Sequence, residues 1–233
     1  MKIIDSKTGK RIVDVDKELN KKISKADPVK RNVEKGLENE EYSPMDPPEA
    51  YDATIISDIS YDQMDGFIKK YMDEHKVCIE KLDAFEKALV SFKESNYKLS
   101  TEINSVFGDF FDFFDNNLLD HNQREEKQLF PLLHKRLIES GESAEGENPN
   151  TAVDMMEDDH IKFIQLGTLT FNLLGLATRL QDDRSRIFTY DVAYNNGREL
   201  VELLRLHIFR EDNILFPLAQ KLISKEEFST LAN

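Results

Sequence analysis

The residues that could do chemistry in this chain are four of its five histidines and two of its glutamates, because they recur in repeated settings. The string HNQREEKQLFPL begins at His121 and HIFREDNILFPL begins at His207; His, Arg, Glu, Leu, Phe, Pro and Leu fall at the same offsets in both. On a helix, residues four apart lie one turn apart on one face. His121 with Glu125, and His207 with Glu211, therefore aim an imidazole and a carboxylate at one place. His75 and His160 end the acidic strings MDEH and EDDH, and isoleucine follows each four residues later, as Ile79 and Ile164. The separations His75 to His160 and His121 to His207 differ by a single residue. The chain reads as a helical hairpin written twice, with an approximate twofold axis.

Four imidazoles and two carboxylates delivered to the axis of a helical bundle suit a dinuclear metal site. Two unpaired carboxylates are costly to bury unless cations neutralise them, and glutamates bridging two divalent ions would remove that cost. If both bridge, each ion receives two nitrogens and two oxygens from His75, His121, Glu125, His160, His207 and Glu211. A six-coordinate ion then has two positions left, one for an oxo or hydroxo bridge and one for an exogenous ligand. Imidazole and carboxylate without sulfur suit two iron ions, with manganese or zinc able to take their place in purified protein.

The elements that must position these side chains are legible as apolar periodicity. Phe67, Tyr71, Cys78, Leu82, Phe85 and Leu89 make one helical stripe from about residue 60 onward. Ile103, Phe107, Phe110, Phe114 and Leu118 make another within a helix over about 100–137. GESAEGENPN, 141–150, is a loop by composition. Further helices are expected over about 151–180 and 184–222, and SKEEF carries a serine cap with glutamate three residues on, which predicts a short last helix. The fold class is all-α, an up-down-up-down four-helix bundle over 59–223 with a C-terminal helix or tail over 224–233. Residues 1–58 read as a separate N-terminal arm: a possible hairpin around SKTGK, a charged stretch, then the proline-rich connector SPMDPPEA.

Composition narrows the partners. A net charge of -14 argues against nucleic acid and anionic membrane surfaces. No apolar run is long enough for a membrane helix, MKIIDSKTGKR lacks the apolar core of a secretory signal, and a cytoplasmic protein is expected. Cys78 is the one cysteine, so no multi-cysteine zinc or iron–sulfur site can form.

The pattern H…HxxxE…H…HxxxE, with LFP after each HxxxE, resembles the hemerythrin-like (HHE cation-binding) family over about 60–222. The resemblance implies a four-helix bundle holding a non-haem di-iron centre, with the same six residues as ligands. Oxygen-carrying members have a further histidine one turn before the third-helix histidine, where this chain has Met156. They end on an aspartate five residues after the last histidine, where Asp212 stands here beside Glu211. Four histidines with two glutamates are more similar to the di-iron proteins that repair iron–sulfur centres under oxidative or nitrosative stress, although residues 1–58 lack the cysteine-containing domain those usually carry.

Other residues take plainer readings. His134 matches Gln220 in the second copy and so reads as a surface histidine. Glu126 and Asp212 align with each other and read as solvated carboxylates or supports for the ligands. Arg124 and Arg210 are surface residues or braces for carboxylates. Pro131 and Pro217 each remove a helical hydrogen bond, predicting a kink that shapes the bundle end. Cys78 is an apolar core thiol, Tyr71 and Met156 wall the site or fill the core, and Phe114 helps to dry the site. The expected function is binding or reduction of a small oxidant such as dioxygen, nitric oxide or peroxide. The alternatives are iron donation to apo iron–sulfur proteins, and a structural or sensory bundle stabilised by its metal. Oligomeric state is open.

Overall fold

The computed structural model describes residues 59–143 and 149–231. The arm, its connector, the middle of the 141–150 loop and the last two residues, all read above from sequence, lie outside the described residues.

A short 3-10 turn, Tyr61–Gln63, precedes the first helix. Among the described residues five helices follow and no strand. They are α1 (Gly66–Glu94), α2 (101–140), α3 (Ala152–Ala177), α4 (183–222) and α5 (Lys225–Leu231). Each long helix starts where a polar side chain takes an otherwise orphaned N–H. Asp65 accepts from Phe67 N–H at 2.9 Å, and Ser100 accepts from Ile103 N–H at 3.2 Å. Thr151 and Asp182 do the same for α3 and α4. At α5 the expected cap is reciprocal: Ser224 N–H donates to Glu227 at 2.9 Å, and Glu227 N–H donates to Ser224 Oγ at 3.3 Å.

The stripes read from sequence are the inner faces. Tyr71, Cys78, Leu82, Phe85 and Leu89 of α1 are buried, as are Phe107, Phe110, Phe114 and Leu118 of α2. Phe67 and Ile103 are partly buried at the ends of their stripes. The core falls into two apolar clusters. One gathers Ile68, Tyr71, Phe130, Met156, Phe216 and Phe228, where α5 packs back onto the bundle. The other gathers Phe85, Phe92, Phe110, Phe163, Leu200 and Leu204 at the opposite end. The polar site lies between them.

α2 and α4 are not uniformly α-helical. A wide π-helical turn spans Glu125–Leu129, and its counterpart spans Glu211–Leu215. Phe130 N–H reaches back to Glu125 O, and Phe216 N–H to Glu211 O. Pro131 and Pro217 come one residue later, at the second position of the α-helical segment that resumes. The residue without an N–H therefore sits at the seam between π and α registers. Each proline thus follows closely on a π turn that begins at a glutamate. α2 has one more π turn, Phe114–Leu118, just before His121.

Candidate metal centre

All six residues picked out by the repeat are buried at one level of the bundle. His75, His121, His160 and His207 are between 1% and 4% exposed, and Glu125 and Glu211 are fully buried. They form two overlapping groups, His75–His121–Glu125–Glu211 and His160–His207–Glu125–Glu211, with donor atoms in each within 4.8 Å of one another. The histidines pair within a hairpin, which the sequence left open. Nε2 of His75 lies 3.1 Å from Nε2 of His121, and Nε2 of His160 lies 3.2 Å from Nε2 of His207.

The glutamates belong to both groups. Glu125 turns Oε1 to His121 Nε2 at 3.3 Å and Oε2 to His160 Nε2 at 3.6 Å. Glu211 Oε2 is 3.2 Å from both His75 Nε2 and His207 Nε2. None of the four oxygens receives a hydrogen bond. Buried carboxylate oxygens without donors, ringed by imidazole nitrogens, fit cations. Neighbouring donor atoms on one ion with bonds of ~2.1 Å are themselves about 3 Å apart, which matches the spacing of the Nε2 pairs.

Outside the rings, three of the four histidines have a carboxylate on Nδ1 and the fourth, His207, has one nearby without a hydrogen bond, each from the preceding helix around the bundle. Glu74 of α1 holds His121 at 2.7 Å, and Glu126 of α2 holds His160 at 2.8 Å. Asp159 of α3 stands 3.7 Å from His207, and Asp212 of α4 holds His75 at 2.8 Å. Such a partner leaves Nε2 free to face the axis. Glu126 and Asp212 thus support the rings. Glu74, the last acidic residue of MDEH, does so too, whereas Asp159, its counterpart in EDDH, stands beside His207 without a hydrogen bond to it; nothing in the sequence pattern singles out either. Arg124 brackets Glu74 at 2.6 Å and Arg210 brackets Asp159 at 3.2 Å, so both arginines brace carboxylates.

Aromatic packing repeats as well. Phe216 stacks on His75 with centroids 5.6 Å apart, and Phe130 stacks on His160 at 5.7 Å. The phenylalanine of each LFP therefore covers the histidine of a neighbouring helix. The twofold pattern fails at His121 and His207: Tyr71 meets His121 edge-on at 5.2 Å, whereas Phe163 meets His207 edge-on at 4.8 Å. His134 lies outside the cluster, partly buried, where Nδ1 is 2.9 Å from the Thr151 hydroxyl at the start of α3. Gln220, its counterpart, accepts from Asp65 N–H at the start of α1, at 2.6 Å. The repeat thus keeps place and contact at this position while changing the residue.

Charge within the cluster is shared between rings and carboxylates. Burial works against charge on His75, but Asp212 and Glu211 outweigh it and lift the ring to about 10. At His207 burial is likewise outweighed by Glu211 and Asp159, giving about 9. Burial and the neighbouring His207 hold His160 below its ordinary value. Burial opposes ionisation of Glu211, yet His207 and His75 keep its carboxyl well below the usual range. Glu74 falls to about 2, because His121 and Arg124 outweigh its desolvation. Cys78 is pushed up to about 12 by burial, so it stays a thiol.

Comparison with known proteins agrees with this geometry. The family model for the hemerythrin HHE cation binding domain matches residues 66–219, a span that contains all six residues of the cluster. No solved structure matches the chain.

Proposed function

The chain belongs to the hemerythrin HHE cation-binding family, and on that premise we propose that it is a cytoplasmic non-haem di-iron protein that binds or reduces a small oxidant. Dioxygen, nitric oxide and peroxide are the candidate substrates. The observation that carries this reading is the balance of the two donor groups: two imidazoles each, with Glu125 and Glu211 common to both. In this assignment His75 and His121 would hold one iron and His160 and His207 the other, with Glu125 and Glu211 within reach of both. Two iron ions would supply the electrons that an oxidant takes up.

The chain's own residues do the rest. Glu74, Glu126 and Asp212 keep the Nδ1 side of the His121, His160 and His75 rings turned outward. Phe130, Phe163 and Phe216 cover the rings with apolar surface and exclude water from their faces. Tyr71 is 1% exposed and its hydroxyl is held protonated, mainly by burial and then by the charge of Glu125.

A second reading, iron donation to damaged iron–sulfur centres, is favoured by the outer carboxylates. Glu74, Glu126 and Asp212 keep 34%, 43% and 26% of their side chains exposed, which offers oxygen donors between the buried rings and solvent. One experiment separates the readings. Iron-loaded, reduced protein is mixed anaerobically with each oxidant in a stopped-flow spectrometer, and in parallel with an apo iron–sulfur enzyme. Rapid oxidation with iron retained supports oxidant handling; transfer with recovery of the enzyme's activity supports donation. Metal-dependent melting with neither reaction would leave a structural bundle.

A further inference from the structure

From Phe163 onward one face of α3 carries no charge and stands largely exposed among the described residues, although the Phe171 ring meets Phe111 edge-on at 5.2 Å. From Phe163 to Thr178 the sequence carries no charged residue, although 33% of the whole chain is charged. Ile161, Ile164, Leu169, Phe171 and Leu176 on this helix are 56%, 47%, 50%, 58% and 49% exposed. Scattered single apolar residues on a surface need no explanation, but a continuous face of this kind marks an interaction site.

We propose that two copies of this chain associate through this face, α3 packing antiparallel on α3 across a twofold axis at Thr168. Ile161, Ile164, Thr168, Phe171 and Gly175 follow alternating steps of three and four, the spacing of a helix-to-helix seam. An antiparallel approach centred on Thr168 sets Ile161 of one copy opposite Gly175 of the other, and symmetry makes that contact twice. A large residue thus meets a small one at both ends of the seam.

The glycines support the same conclusion. A Cβ at Gly167 would come within 2.7 Å of the Phe114 ring, so packing inside the chain accounts for that glycine. A Cβ at Gly175 would meet nothing within 4 Å. Gly175 stands in the last turn of α3, where its carbonyl accepts from the Thr178 hydroxyl at 2.8 Å and no neighbour in the described chain requires the absence of a side chain. The open space beside it is where the second copy's Ile161 would enter.

Charge and area select a second copy as the occupant. Each copy carries a net charge of -14, so most pairs of faces repel. The α3 face lets two acidic copies approach without opposing charges. Its exposed side chains, with Gln165, Thr168, Asn172 and Gly175 between them, present on the order of 700 Å² per copy, close to the ~800 Å² per partner of a stable interface.

The test is sedimentation equilibrium of the metal-loaded full chain over a wide range of concentration. A concentration-dependent dimer is expected. Ile164→Glu places like charges on the seam, and Gly175→Leu fills the space needed by Ile161. Each should raise the dimer dissociation constant at least ~30-fold while metal content and helical circular dichroism stay unchanged. Thr168→Cys should be joined to its copy by a short bis-maleimide, against a silent background because Cys78 is buried. A chain that stays monomeric throughout overturns the proposal. So does a dimer indifferent to both substitutions, or a Thr168→Cys protein that does not cross-link.

Discussion

Nδ1 of His75 donates to Asp212 at 2.8 Å, so only Nε2 of that ring is left for the bundle axis. Glu126 does the same for His160 at the same distance. Both carboxylates lie partly in solvent, and removing them creates no cavity in the core. Asp212→Ala and Glu126→Ala should therefore weaken metal binding by ~10–100-fold and leave the far-ultraviolet circular dichroism unaltered. Competition against a chromophoric chelator measures the change. Affinity equal to that of the unmodified protein would mean that stacking on Phe216 and Phe130 orients the rings without help.

Protons stand in for metal when the cluster is metal-free. His75 and His207 rise from 6.5 to about 10 and about 9. A folded value above the unfolded one adds stability that is fully present below the unfolded value and is lost as pH rises through the folded one. Chelated protein should therefore lose stability between about pH 6.5 and 10, leaving the Glu125 and Glu211 carboxylates progressively uncompensated. Metal-loaded protein, whose rings are neutral donors, should be spared this loss, and should release protons as it loads at pH 7. The gap in melting temperature between the two forms should widen with pH. A gap that is constant or shrinking over this range would contradict the placement of metal among these rings.

Phe114 lies against Gly167 across the α2–α3 contact, where an added Cβ would be 2.7 Å from its ring. Gly167→Ala should cost ~1–3 kcal/mol, because the ring is 3% exposed and has little room to retreat. Denaturant unfolding of metal-loaded protein reads this out. An unchanged midpoint would show that the aromatic cluster rearranges freely.

Much of this architecture was legible in the residue order, for reasons that can be stated. Apolar spacing marked the four long helices, since a residue such as Phe85 must face inward with Leu82 and Leu89. Spacing of four put His121 with Glu125, and the second copy of the motif turned one weak hint into a site. The pairing of His75 with His121, and not with His160, was not legible, because it depends on how helices approach in space. Glu74 and Asp159 are not distinguishable in the sequence, because an acidic residue beside a histidine usually faces solvent. The π turns leave no periodicity of their own in sequence. Pro131 and Pro217, six residues after each glutamate, are their trace, and a proline on a helical pattern predicts a kink without specifying a π turn.

Met156 stands one turn before His160, where a third imidazole for a metal ion at His160 and His207 would have to originate. It is 1% exposed and packs in the same apolar cluster as Tyr71 and Phe130, and a thioether is a poor ligand beside nitrogen and oxygen donors. In the proposed centre each ion then has equal protein ligation, and both keep weakly held positions. Such a centre favours electron transfer to the oxidant over tight, reversible storage of it. Reduced, iron-loaded protein exposed to dioxygen should oxidise rapidly without a long-lived oxygenated form. Met156→His, if its imidazole reaches the ion proposed at His160 and His207, should unbalance the two ions and slow that oxidation. Stopped-flow absorbance on both proteins, with iron content measured before and after, gives the comparison. A stable, reversible oxygen adduct in the unmodified protein would restore oxygen carriage as the better reading.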